Sequence, residues 1–372
     1  MSVVDIFLEL VQIDSLSFNE LEAANYVINY LRQFGFDVQM DSANKNLDGN
    51  CGNVIGLLTS NPAAPTILFN AHLDTVNPGK NIKPIIENGF ARSDGKTVLG
   101  ADDKAGVAII LEAARQIVEN DLPHGPIEII LTVAEEKGLL GSKNLDLAQI
   151  KADFAFVLDA EGKAGGLIVK APSQNSIRAI FRGKSAHSGV NPEDGINSIS
   201  AAAKAISYMN LGRLDFETTS NIGTIKGGLA PNIVPPKTVI EGEARSHSGN
   251  KLQAQTEHMQ ECIERGARDA GANVKLEVSR AYDAFALTEQ DEVVAIAAEA
   301  IRGLKLEPEF KSSGGGSDAN VFNKAGIPAI NLSIGAENVH SMDERVAVKD
   351  LVLGVEIVLK IVREALKRAK PE

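Results

Sequence analysis

An α/β fold, in which a mainly parallel sheet with helices on both faces is interrupted by a smaller inserted unit, is what this 372-residue sequence predicts. Three observations predict it. The chain is too long for one compact core of ordinary size, so two domains are expected. Short, nearly all-apolar runs alternate with helical periodicity in the first third and again near the end, the pattern of parallel strands covered on both faces. Between these regions the strands carry only one apolar face and follow the order β-α-β-β-α-β.

Taken in order, Val3 to Val11 has helical apolar spacing, and Ser17-Phe18-Asn19-Glu20 reads as a capping box opening a second helix that runs to Gly35. Strands are expected over 53–58, 66–70, 127–133 and 154–158, with a helix from about Lys104 to Glu119 between the second and third. The character changes near Pro172. Strands over 176–183, 221–226, 238–245 and 273–280, with helices over 194–209 and 251–270, make a ferredoxin-like split unit. Its Ile177, Ala179 and Phe181 alternate as a sheet with one covered face requires. After Tyr282 the first pattern resumes. Thr288 and Asp291 cap a helix ending at Gly303, a helix over 317–324 follows Ser312–Gly316, and a strand over 329–334 precedes a long helix from Lys349 to Arg368. The expected domains are therefore 1–172 joined with 282–372, and an inserted 173–281.

Composition narrows the function. A formal charge of −12 argues against a nucleic-acid surface, which needs a basic patch. The two cysteines, Cys51 and Cys262, have no paired spacing, so neither a disulfide framework nor a thiolate zinc site is expected. Residues 1–9 carry Asp5 and Glu9 and no basic residue, unlike a secretory leader, and no run approaches the ~18 apolar residues of a membrane helix. A cytoplasmic protein with no membrane or nucleic-acid partner is expected.

Active sites of open α/β sheets gather beyond the carboxyl ends of the strands. At those ends stand Ala71-His72-Leu73-Asp74, Ala134-Glu135-Glu136, Asp159-Ala160-Glu161 and, after a short loop, Asn338-Val339-His340. Gly100-Ala101-Asp102-Asp103-Lys104 opens the long helix. Singly, such acids are usually caps or solvated turn residues. Together, five elements aim His or carboxylate groups at one edge, and two of only six histidines are among them. Two imidazoles and three carboxylates, without sulfur, suit a pair of zinc, cobalt or manganese ions better than calcium or magnesium. In an extended segment His72 and Asp74 point the same way, so Asp74 can orient the His72 ring. Adjacent Glu135 and Glu136 point apart, which lets one bind metal while the other acts as base.

His72-Leu73-Asp74, Gly100–Lys104, Glu135-Glu136, Asp159 and His340 together resemble the motif set of the M20 metallopeptidases, nearest the peptidase T-like branch, over essentially the whole chain. The resemblance implies a zinc-peptidase-like fold with an inserted lid and dimerisation domain. It implies that Asp102 bridges two divalent ions and that the peptide bond after it is cis. His72 and Glu136 or Asp159 would complete the separate spheres, His340 would close the second, and Glu135 would be the general base. Gly183–Gly189 resembles the family's lid segment, in which His187 would hold the oxyanion in a partner subunit's site. Asn232 in Ala230–Pro235, Arg245, and Gly315 in the glycine loop resemble substrate-contacting segments.

The expected activity is hydrolysis of the amide bond of a small peptide, as an aminopeptidase or tripeptidase, by a homodimer joined through the inserted domain. A deacylase, amidase or carboxypeptidase acting on N-acyl amino acids is the alternative within the class. A non-catalytic binding protein would have lost its base or a ligand, and none is missing. Nucleotide binding would rest on Gly314–Gly316 alone, which lacks the Lys-Ser/Thr end of a phosphate loop. His124, His247 and His258 read as structural.

Overall fold

The computed structural model describes residues 1–60 and 63–368. They fall into two compact units. The larger holds 1–169, 286–312 and 317–372; the smaller holds 170–285 and 313–316. The segment 313–316, which the sequence places with the flanking larger region, groups with the smaller one. There the Ser313 amide donates to the Lys170 carbonyl and the Gly316 amide to the Tyr282 hydroxyl.

The larger unit begins with helices α1 (Val3–Val11) and α2 (Leu21–Gln33), followed by strands β1 (Asp37–Met40), β2 (Val54–Leu58) and β3 (Ile67–His72). Helix α3 (Ala101–Glu119) leads to β4 (Ile127–Thr132), β5 (Phe154–Ala160) and β6 (Gly166–Ala171). The smaller unit contributes β7 (Ser173–Arg182), α4 (Ser198–Tyr208), β8 (Thr218–Gly227), β9 (Lys237–Ser246), α5 (Gly249–Arg268) and β10 (Asn273–Tyr282). The chain then supplies α6 (Glu292–Arg302), β11 (Glu309–Ser312), α7 (Asp318–Lys324), β12 (Ala329–Ser333) and α8 (Val348–Leu366) to the larger unit.

The main sheet runs β1-β2-β4-β3-β5-β12-β6, with β11 paired to β6. Its centre, β4-β3-β5-β12, is parallel, and β1, β2 and β6 add antiparallel flanks. Every residue of β3 and β4 is buried, as their unbroken apolar runs require of strands covered on both faces. Helix α3 packs on β3 and against α1 and α8, while α7 lies on β5 and β12. Four parallel strands thus end at one rim.

The capping box expected at Ser17–Glu20 does not form. Helix α2 starts at Leu21 with no side-chain cap. Ser17 Oγ instead donates to Asp74 Oδ2 at 2.7 Å, and Glu20 Oε1 accepts the Phe18 and Ala134 amides, both at 2.9 Å. A buried acceptor outcompetes a local cap here because an unpaired buried carboxylate is the larger penalty.

In the smaller unit the order is β8-β9-β7-β10, all antiparallel. Ile177, Ala179 and Phe181 pack beneath α4 and α5, and Arg178 faces the other way to pair with Glu241 and Glu277. No helix of the described residues is long and apolar enough to cross a membrane.

Candidate metal centre

The rim of the main sheet gathers the charged groups. His72 is the last residue of β3, Asp159 lies near the end of β5, and Glu135 and Glu136 form the turn after β4. Asp102 sits at the mouth of α3, where the dihedrals of Asp102 and Asp103 are not helical and their shared peptide bond is cis. Asp103 then caps the regular part of the helix, its Oδ1 accepting the Gly106 amide, while its Oδ2 accepts the His72 amide.

Asp102 is the hub. Its Oδ1 is 2.9 Å from His72 Nε2 and its Oδ2 is 3.1 Å from His340 Nε2. His72 Nε2 also lies 3.7 Å from Asp159 Oδ1, and His340 Nε2 lies 2.7 Å from Glu136 Oε1. Three sets of side chains have potential ligand atoms within 4.8 Å of one another: His72 with Asp102 and Asp159, Asp102 with Glu136 and His340, and His72 with Glu135 and Glu136. The first two sets share Asp102, one carboxylate oxygen toward each. Those are the residues that can hold a pair of cations, and the N/O donor set suits a borderline transition metal.

The supporting shell is built from distant segments. Asp74, fully buried, accepts the Glu135 amide at 2.9 Å, the Glu136 amide at 3.3 Å and the Ser17 hydroxyl. It therefore orients the acidic turn as much as the histidine. The nearest partner of His72 Nδ1 is the Asp74 backbone carbonyl at 2.9 Å, with the carboxylate at 3.4 Å. Asn331 Oδ1 accepts the Asp159 amide, and Asp318 Oδ2 accepts from Thr132 Oγ1 and Asn70 Nδ2.

So many acids in so little water perturb one another. Burial, and behind it the Asp159, Asp318 and Glu136 charges, push the Glu135 carboxyl well above its ordinary range despite nearby His72. Burial and the Asp102 charge push Asp159 up to about 7 against the opposing bond from His72. For Asp102, burial is outweighed by bonds from His340 and His72, which hold it below the usual carboxylate range. The Asp102 and Glu136 carboxylates raise His340 to about 10. Buried His72 is likewise raised, because Asp102, Asp159 and Asp74 outweigh its desolvation. A surplus of buried negative charge around two imidazoles is an environment that calls for cations.

The other site residues expected from sequence lie in the smaller unit. His187 and Asn232 are exposed and belong to adjoining segments: the Ser188 amide donates to the Asn232 carbonyl, and His187 bridges Ile233. Arg245 donates to Glu243, and a Cβ at Gly315 would lie 3.6 Å from Arg245 Nη1. His187 thus stands with Asn232, and Arg245 with Gly315. Of the remaining histidines, the His124 ring lies 2.7 Å from the Gly125 carbonyl and His258 accepts the Asn210 amide. His247 Nδ1 is buried without a hydrogen-bond partner.

Residues to which the sequence gives no role at the centre also support it. Glu344, Asp318 and Glu20 are buried acids that hold its backbone and side chains. Lys104, also buried, donates to the Ile13 carbonyl, and burial lowers its amine to about 7. Their only signal is an acidic or basic residue close to a motif, which most surface residues share.

The family model for peptidase family M20/M25/M40 matches residues 68–364. An uncharacterized protein, YqjE, of Bacillus subtilis (strain 168) is 44% identical over 97% of both chains. The crystal structure of aminopeptidase PepT from Bacillus cereus ATCC 10987 is 43% identical, covers 98% of each chain and superposes with a TM-score of 0.85. A tripeptidase from Staphylococcus aureus subsp. aureus mu50 is 40% identical, with the same coverage and a TM-score of 0.90. Human carnosine dipeptidase 1, at 15% identity and a TM-score of 0.78, shares the fold. With its motif residues gathered at one rim and this similarity along its length, the chain belongs to peptidase family M20/M25/M40.

Proposed function

We propose that the chain is an aminopeptidase of tripeptidase type, which hydrolyses the amide bond of small peptides with two divalent ions bound at the rim. The carrying observation is Asp102, whose two oxygens face two imidazole–carboxylate clusters, with the buried acid Glu135 alongside. The similar chains described as an aminopeptidase and a tripeptidase support the substrate class.

Asp102 would bridge the ions, His72 and Asp159 would hold one, and Glu136 and His340 the other. Zinc is the first choice, with cobalt or manganese as alternatives. Such ions polarise a carbonyl and lower the pKa of water from about 15.7 to about 7. Glu135 takes the proton of the attacking water and passes it to the departing nitrogen. Burial raises its proton affinity, as suits a group that must hold a proton between those events. Asp74 fixes the turn that aims Glu135, through the Glu135 and Glu136 amides. His187 would steady the oxyanion, and Asn232, Arg245 and Gly315 would hold the peptide backbone and its carboxylate.

The same reading makes the protein a homodimer joined through the smaller unit, with His187 serving the partner's site. Val190, Phe216 and Leu229, all in that unit, are 75%, 83% and 74% exposed, which leaves apolar side chains available to a partner. A cytoplasmic location belongs to this proposal.

The test is metal content per chain, followed by hydrolysis assays with tripeptides, dipeptides and N-acyl amino acids. We expect two ions, loss of turnover on chelation, restoration by zinc, cobalt or manganese, and a preference for tripeptides. Preference for N-acyl amino acids would turn the assignment to a deacylase; activity indifferent to chelation would sink it.

A further inference from the structure

The two clusters at the rim are held differently. His72 and Asp159 project from β3 and β5, strands of the sheet centre. Glu136 stands in a single turn, and His340 sits in the loop 338–344 with half of its side chain exposed. That loop carries two non-glycine residues in left-handed conformation, Asn338 at φ 56° and His340 at φ 62°. Non-glycine residues in that region are strained and persist where their surroundings impose it.

Glu344 is placed to impose it. It closes the same loop through its amide, which donates to the Ser341 carbonyl, and its side chain is only 1% exposed. Oε2 accepts the Leu99 amide at 2.7 Å and the Gly100 amide at 2.8 Å, and Oε1 accepts the Asp102 amide at 3.0 Å. Gly100 must be glycine for this turn, being at φ 73° with Thr75 Cγ2 2.9 Å from where a Cβ would stand. One carboxylate therefore ties the loop that carries His340 to the turn that carries Asp102, across more than 240 residues of sequence. Charge-assisted bonds to three amides are among the stronger links available to a buried acid.

We infer that Glu344 is a positioning residue which preassembles the Asp102–Glu136–His340 half of the centre and sets the affinity of that half for its ion. The inference rests on the two-metal reading above. Removing the Glu344 carboxylate leaves three amides unsatisfied and frees the loop, whereas His72 and Asp159 stay anchored on strands. The two halves should then fill unequally. Glu344→Gln would keep the shape and one accepting oxygen but oppose a backbone N–H with its own amide, so it should fall between wild type and alanine.

The experiment is titration of the metal-free full-length chain with Co²⁺, read by calorimetry and by the visible absorption of the bound ion. For wild type, two binding events are expected. Glu344→Ala should weaken one event on the order of 10–100-fold and leave the other within about fivefold, the range seen when supporting partners of metal ligands are lost. Glu344→Gln should show a smaller change of the same event, and it carries the test if the alanine variant does not fold. In a His340→Ala background, adding Glu344→Ala should change that event less than it does in wild type, because one of the ligands it positions is already gone while its hold on the Asp102 turn remains. Equal weakening of both events, or no change in either, would overturn the inference while leaving the two-metal reading intact. Fewer than two events in wild type would overturn that reading, and this one with it.

Discussion

The site residues expected in the larger unit and those expected in the smaller unit lie in different surroundings. Around the rim of the larger unit, His72 and Asp74 are almost inaccessible, and Asp74 is held by the Ser17 hydroxyl and the Glu135 amide, 57 and 61 residues away. In the smaller unit, His187 and Asn232 are exposed; the Gly189 amide donates to His187 Nδ1 and the Ser188 amide to the Asn232 carbonyl. Burial makes the first set rigid and electrostatically extreme, as preorganised chemistry needs. Exposure puts no such constraint on the second set.

Four substitutions sharpen or break that contrast. The largest effect should come from Glu135→Gln, with turnover lowered by about 10²–10⁴-fold as for loss of a general base. Metal stoichiometry should be unchanged, measured on the same preparation by elemental analysis; near-normal turnover would remove Glu135 from its role. His187→Ala should lower kcat by about 10²–10³-fold, the range for one oxyanion donor, again with metal content intact. A change confined to thermal stability would make His187 a loop residue only. Arg245→Ala should act mainly on KM for substrates with a free carboxylate, by roughly 10-fold, since a charged hydrogen bond contributes about 1.5–3 kcal/mol. Equal losses on amidated peptides would show that Arg245 does not read that carboxylate.

The smallest effect concerns stability alone. Burial, then the Asp74 charge, raises Glu20 to about 7 in the folded chain, against an ordinary value of 4.5. Between those values the folded state keeps a proton that the unfolded state has released, so stability falls as pH rises through that window. The span is on the order of 3 kcal/mol. Glu20→Gln should flatten this slope, compared by denaturant unfolding of the metal-free protein at pH 5 and pH 8. An identical slope in wild type and variant would mean that Glu20 is ionised throughout.

Where sequence and structure part company, the reason is distance along the chain. The expected capping box fails because Ser17 meets Asp74, 57 residues away, and Glu20 meets the Ala134 amide, 114 residues away. Glu344 and Asp318 escape notice, and Glu20 reads only as part of a helix cap, because a buried acid bonded to remote groups looks, in sequence, like any solvated one. The loop 313–316 shows the same thing at the level of units: its neighbours in sequence lie in the larger unit and its partners, Lys170 and Tyr282, in the smaller.

By itself, the sequence determined most strands and helices, whose apolar periods are local, though not β1, β6 or β11, and the gathering of His72, Asp102, Glu136, Asp159 and His340, because parallel strands must end at a common edge. Only the tertiary structure decided how those groups divide. Asp159 falls beside His72 and Glu136 beside His340, Asp74 holds the Glu135–Glu136 turn as well as the His72 ring, and Glu344 binds one loop to another. Those outcomes depend on which buried donors find which acceptors when the chain closes up, and no local pattern encodes that pairing.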